Sequence, residues 1–151
     1  GGWQMGKRGF TIIELLIVIA VIGILVGIAL PRFRGMQEEG KIAQAKGELR
    51  TLQTAMESYY IHHSNAYPAA LTDLITAVPN IIGSALPTDP FKVGTNYVLV
   101  LDTATPPKYY VIYSVGTAGT GTSAITTAGV ANDTESSVIY ITNGAPRDTT
   151  P

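Results

Sequence analysis

Between positions 10 and 30 the chain reads FTIIELLIVIAVIGILVGIAL, with Glu14 its one ionisable residue. A helix of that length rises about 30 Å, the thickness of a hydrocarbon core, so the segment predicts a helix able to cross a bilayer. Pro31 follows, and the next thirty or so positions are polar with Phe33, Met36, Ala43, Leu49, Leu52, Met56 and Tyr59 at helical intervals. That pattern predicts an amphipathic helix continuing the apolar one past the proline to about His62. Tyr67-Pro68 breaks it, Leu71, Leu74, Ile75 and Val78 predict a short second helix, and Pro79, Pro87 and Pro90 punctuate a loop. Runs rich in β-branched and aromatic residues at 97–101, 109–113 and 138–141 predict a small antiparallel sheet, with Pro106-Pro107 turning the first two into a hairpin. Between them, 116–134 holds fifteen Gly, Ala, Ser or Thr among nineteen residues, which predicts a long loop; the tail at 147–151 is expected to fray. The expected fold class is α+β: a long N-terminal α-helix, apolar then amphipathic, packed on a small antiparallel β-sheet head. The expected divisions are 10–30, 31–62 and 63–151.

A domain of roughly 120 residues cannot cover a 30 Å all-apolar helix on every side, so something outside the protomer must. One alternative is a secreted binding protein with a signal peptide: Lys7-Arg8 forms a charged start, and Gly27-Ile28-Ala29 supplies small residues for a cut after Ala29. Glu14 argues against this, because it sits where a signal peptide is purely apolar. Counting cations does not decide orientation, since Arg32 and Arg34 balance Lys7 and Arg8. Composition narrows the function. Hydrophobic residues make up 46% and charged residues 14%, and ten Lys+Arg against eleven Asp+Glu leave a net charge of −1. No field of either sign captures nucleic acid, so no nucleic-acid partner is expected. With no cysteine, disulfides, thiolate metal sites and thiol nucleophiles are excluded.

Glu14 is the informative residue. A carboxylate in a hydrocarbon span costs about 2.5–3.5 kcal/mol at the helix centre and less near an end, and such residues usually have a partner. The apolar segment offers no cation, but a cut between Gly9 and Phe10 would create one, because the new α-amino group is charged below its pKa of about 8. Two pairings are open. The amine can meet Glu14 four residues along its own helix, or the Glu14 of a neighbouring subunit, which would set the axial register of helices otherwise packed through featureless Leu and Ile.

The run Lys7-Arg8-Gly9-Phe10-Thr11-Ile12-Ile13-Glu14-Leu15-Leu16 resembles the processing site of type IV prepilins and of the pseudopilins of type II secretion. The match places Gly9 before the cut, Phe10 as the new N-terminus and Glu14 at the acidic position; Gly23 and Pro31 also match. Residues 1–9 are then a leader whose expected start is Met5. The resemblance implies a prepilin peptidase that cuts after Gly9 and methylates the Phe10 amine. It also implies assembly into a homo-oligomeric helical filament by an inner-membrane platform protein and an assembly ATPase. Before assembly the chain would lie in the bacterial inner membrane with a periplasmic head, and afterwards in a periplasmic or extracellular filament. Pro31 lies where that family's helix kinks or loses hydrogen bonds, as an interior proline's missing N–H would allow.

In the second half, Tyr67-Pro68, the run Leu-Pro-Thr-Asp-Pro-Phe at 86–91 and Tyr113-Ser114-Val115-Gly116 resemble the major pseudopilin of type II secretion, whose head carries a calcium-holding loop. That family usually has Trp where Phe91 stands and Asp-Gly where Ala118-Gly119 stands. Ca²⁺ takes six to eight oxygen ligands, and Asn132, Asp133 and Glu135 with backbone carbonyls are the candidates here. Little else carries chemistry. His62 and His63 point about 100° apart on a helix and cannot share a metal, the glycines of 116–121 lack a following Lys-Ser/Thr, and Ser114 lacks a G-x-S-x-G elbow. Tyr59 and Tyr60 are expected to pack between helix and head. The expected function is a non-enzymatic filament subunit, a major pseudopilin. Its alternatives are a type IVa major pilin for adhesion or motility, the secreted binding protein, and a membrane-tethered enzyme.

Overall fold

The computed structural model describes residues 8–145 together with Gly2 and Gly6; Met5, Lys7 and the tail expected to fray lie outside the described residues. The elements in order are α1 (Ile12–His62), α2 (Asp73–Thr76), β1 (Val98–Leu101), β2 (Tyr110–Ser114), β3 (Ser123–Ile125), β4 (Ala131–Asp133) and β5 (Ile139–Thr142). This is the α+β fold expected of a type IV pilin-like chain. Packing divides it within α1 into an N-terminal unit, Gly1–Glu38, and a head unit, Glu39–Pro151.

In the N-terminal unit, α1 starts where Thr11 accepts a hydrogen bond from the Glu14 N–H through its Oγ1 at 3.2 Å. Thr11 is thus the N-cap, and Glu14 stands at the third helical position, the Thr-x-x-Glu spacing of a capping box. Pro31 lies inside the helix, where it removes one i→i−4 hydrogen bond. Large apolar side chains from Phe10 to Met36 are exposed along this unit.

The head unit folds because the rest of α1 presents Ala45, Leu49, Leu52, Ala55 and Met56 to the sheet. Gaps of three and four keep these on one helix face. Against them lies the antiparallel order β1-β2-β5. Central β2 is buried along its whole length, as a strand paired on both edges and covered on both faces must be. The hairpin register pairs Leu99 with Ile112, and β5 adds Ile141 opposite Ile112. Leu71, Leu74 and Tyr97 close the core.

Three expectations need correction. The single apolar stripe expected along 33–59 is not one face: Phe33 and Met36 are 60% and 67% exposed. Ala43 is exposed too, being about 200° around the helix from buried Ala45. The second helix stops at Thr76, because the residue before Pro79 is pushed out of the helical region; Val78 is 91% exposed. The long loop at 116–134 contains a β3–β4 hairpin, Ser123 opposite Asp133 and Ile125 opposite Ala131. Small residues suffice there because hydroxyls reinforce the backbone: the Thr122 N–H donates to Thr134 Oγ1 at 3.0 Å, and Thr134 Oγ1 donates to Thr122 O at 3.2 Å. Two glycines permit the path. Gly116 is left-handed at φ +75 with the Ser137 carbonyl against it, and Gly129, at φ +79, has the Tyr109 ring where a Cβ would be.

Candidate functional site

The candidate surface is the apolar part of α1 and the residues that begin it. Gly9 and Phe10 lie just ahead of the helix and are exposed, Phe10 to 86%, so the bond between them stands clear of the protomer's own packing. Glu14 is exposed one turn in. Gly23 is helical with nothing within 4 Å of a Cβ built on it. Thr11 was missed by reading for chemistry, although Thr-x-x-Glu ahead of an apolar run is itself a capping signal. The apolar window of α1 is long enough to cross a membrane and is 0% buried by the protomer. Leaving that much apolar area in water is unfavourable by roughly 25 cal/mol per Å², so lipid or other chains must cover it.

The head is locked to its own stretch of α1 by carboxylate–phenol contacts. Tyr97 OH donates to Glu48 Oε2 at 2.5 Å and Tyr110 OH to Glu57 Oε1 at 3.0 Å. Tyr67 OH reaches the same Glu57 at 3.4 Å and accepts from Asn143 Nδ2 at 3.1 Å. Asn143 Oδ1 in turn accepts the Tyr110 N–H at 2.8 Å. Burial, reinforced by the Glu57 charge, raises the Tyr110 and Tyr67 phenols above their ordinary 10. Burial with the Glu48 hydrogen bond and charge does the same to Tyr97. Tyr59 packs half-buried against the core and stacks on His63, while Tyr60 meets Tyr67. His62 and His63 turn Nδ1 to the Ser58 and Tyr59 carbonyls at 2.7 and 3.1 Å.

These phenols make the head sensitive to alkali. A folded pKa above the unfolded value of about 10 means the unfolded chain releases protons first, so the contribution is whole below pH 10 and is lost as pH rises beyond it. The melting temperature should hold steady from pH 7 to 9 and fall above about pH 10, less steeply in Tyr110→Phe. Circular dichroism melts at each pH check this, and a Tyr110→Phe slope equal to wild type refutes it.

Two of the three candidate calcium ligands share a strand. Asn132 and Asp133 are neighbours on β4, so their side chains leave it on opposite faces. Glu135 receives Thr120 Oγ1 at 3.5 Å and Ser137 Oγ at 3.3 Å. Among the described residues no three of His, Cys, Asp and Glu gather as a metal site. Asp133 Oδ1 is nonetheless buried without a hydrogen-bond partner, as is Ser123 Oγ, and the two residues face each other across the β3–β4 pair.

Residues 4–30 match the family described as the prokaryotic N-terminal methylation motif. The chain is 51% identical over 54 residues to the type IV major pilin protein PilA of Myxococcus xanthus, which covers 36% of this chain but 24% of that protein. It is 27% identical over 122 residues to type II secretion system core protein G of Pseudomonas aeruginosa, covering 75% of this chain and 85% of that protein. With core protein G of Escherichia coli it shares 30% identity over 106 residues, 62% of this chain and 72% of that protein. No solved structure matches.

Proposed function

Because the chain belongs to the type IV pilin and type II secretion pseudopilin family, we propose that it is the major pseudopilin of a type II secretion system. One observation carries this choice within the family. Similarity to core protein G runs through the head, over 85% of the Pseudomonas protein, whereas similarity to the Myxococcus pilin spans 54 residues. On this reading residues 1–9 are a leader removed by prepilin peptidase, which cuts after Gly9 and methylates Phe10. Residues 10–30 anchor the chain in the inner membrane and then pack in the filament core, Gly23 and Pro31 tune that helix, 31–62 continues it, and 63–151 is a periplasmic head. A platform protein and an assembly ATPase stack the subunits, and Glu14 meets a neighbour's amine. The protein is built upon rather than catalytic, in keeping with a family of structural subunits. The second reading, a type IVa major pilin, is favoured by the 51% identity over those 54 residues. Deleting the gene decides between them: stranded exoproteins in the periplasm with surface fibres intact support the pseudopilin, and lost surface fibres with normal secretion overturn it.

We propose Ca²⁺ as this head's ligand, held through Asp133 with Ser123 opposite rather than through Asn132 and Glu135. The support is the buried, unpartnered pair Asp133 Oδ1 and Ser123 Oγ, oxygen donors suited to a hard cation. In the full chain in detergent, Ca²⁺ should raise the melting temperature and Asp133→Ala should abolish the rise. No heat of Ca²⁺ binding, with a melting temperature indifferent to chelator, rejects the ion.

A further inference from the structure

At Ala145 the chain begins to pair with β4. Ala145 and Val130 form an isolated parallel bridge: the Ala145 N–H donates to the Gly129 carbonyl at 2.7 Å, and the Ala131 N–H donates to the Ala145 carbonyl at 3.1 Å. The other edge of β4 belongs to β3. There the Thr126 N–H donates to the Val130 carbonyl and the Thr134 N–H to the Thr122 carbonyl, so the even-numbered positions of β4 turn their backbone groups to β3 and the odd-numbered ones turn away. Past the Ala145 rung, the next groups on the outward edge are the Ala131 carbonyl and the Asp133 N–H. Among the described residues neither has a partner.

We propose that residues 146–148 continue this rung as a short parallel strand on the free edge of β4, and so bring Asp148 to the calcium position at Asp133 and Ser123. The inference rests on the calcium reading above and adds a ligand to it. A parallel ladder repeats every two residues, so the Arg147 N–H meets the Ala131 carbonyl and the Arg147 carbonyl meets the Asp133 N–H. Pro146 fits between them, because a residue at that step turns its N–H away from the partner strand, where proline is tolerated. The tail is the occupant because Ala145 already delivers it; a strand from another chain would first have to displace the Ala145 rung.

The same register sets Arg147 opposite Asn132, which is exposed, and Asp148 opposite Asp133. Opposed residues on neighbouring strands stand about 5 Å apart with their side chains on one face. Asp148 thus joins the face of Asp133 and Ser123, whose Oδ1 and Oγ are buried without a hydrogen-bond partner. Like charges directly opposite repel, and a hard cation that takes carboxylate oxygens reverses the sign of that contact. The strap therefore closes when Ca²⁺ is bound and opens when it is removed.

The chain contains no cysteine, so Asn132→Cys with Arg147→Cys in the full-length protein in detergent places the only two thiols. Their Cα atoms, about 5 Å apart in this register, lie within reach of a disulfide. With Ca²⁺ present, diamide should close a link inside one chain, read by intact mass as a monomer lighter by two hydrogens, and chelator should slow it at least tenfold. Adding Asp148→Asn should let the link close equally fast in chelator. In the chain without cysteines, Asp148→Asn should weaken Ca²⁺ binding at least tenfold by calorimetry. Linked dimers overturn the proposal, since the edge of β4 then belongs to a second copy, and so does an Asp148→Asn chain whose thiols stay unlinked. Full Ca²⁺ affinity in Asp148→Asn overturns the added ligand and leaves the calcium reading standing, whereas no heat of Ca²⁺ binding in the wild-type chain overturns both.

Discussion

Glu14→Val should give a chain that is cut to Phe10 yet hardly assembles, with filament yield at least tenfold below wild type. The size follows from solvation. An amine without a counterion, or a carboxylate without one, costs about 2.5–3.5 kcal/mol in the middle of a membrane and less toward its edge. Even about 1.4 kcal/mol per subunit contact is a factor of ten. Glu14 is exposed in the protomer, so the loss cannot come from the chain's own packing. The rival cause is the cap at Thr11, whose Oγ1 receives the Glu14 N–H. Capping contributes about 0.5–2 kcal/mol to the helix, and glutamine serves the box nearly as well as glutamate. Two further variants therefore separate the causes. Glu14→Gln keeps the box and loses the charge, and should assemble as poorly as Glu14→Val. Thr11→Ala loses the cap and keeps the charge, and should assemble nearly normally. Sheared-filament yield compared with membrane-bound mature subunit measures all three. Normal assembly of Glu14→Gln would move the explanation from charge to capping.

Asp89→Ala should destabilise the head by about 3–5 kcal/mol, because three buried or half-buried donors lose their acceptor at once, each orphan costing about 1–3 kcal/mol. Asp89 is 3% exposed. Its Oδ1 accepts from Ser114 Oγ at 2.7 Å and from the Phe91 N–H at 2.9 Å, and its Oδ2 from the Val115 N–H at 2.9 Å. One side chain thus makes a turn within its own loop and ties that loop to the end of β2. For a domain of this size the loss lowers the melting temperature by roughly 10–20 °C, a large share of the ~5–15 kcal/mol a domain possesses. Asp89→Asn keeps the volume but turns an N–H toward an N–H, and should fall between. Thermal melts decide it; a change under about 1 kcal/mol in Asp89→Ala would mean that water replaces the carboxylate, so that the loop is open.

What was legible in the amino acids follows the strength of the local signal. The helix past Pro31 and the β1–β2 hairpin declared themselves through long apolar periodicity and β-branched runs, signals that tertiary context rarely overrides. The β3–β4 hairpin did not, because Ser123, Ala124 and Ala131 carry no strand propensity to speak of; their pairing is decided by Thr122–Thr134 hydroxyl bonds between residues 12 apart. Phe33 and Met36 fit a helical period, but a period alone does not say which way a face points. Asp89 lay within a run noted for its likeness to a family, yet its three donors come from positions 91, 114 and 115, and only folding brings 89 to 114. Glu48 and Glu57 were hidden for the same reason: their phenols at 97 and 110 are about fifty residues away.

On the proposed reading, the cut after Gly9 creates the positive end which Glu14 needs. Intact mass and N-terminal sequencing of the mature protein recovered from membranes and sheared filaments test it directly. A chain that begins at N-methylated Phe10 is expected in both fractions. A chain that begins at Leu30, or that keeps residues ahead of Phe10 within an assembled filament, contradicts it.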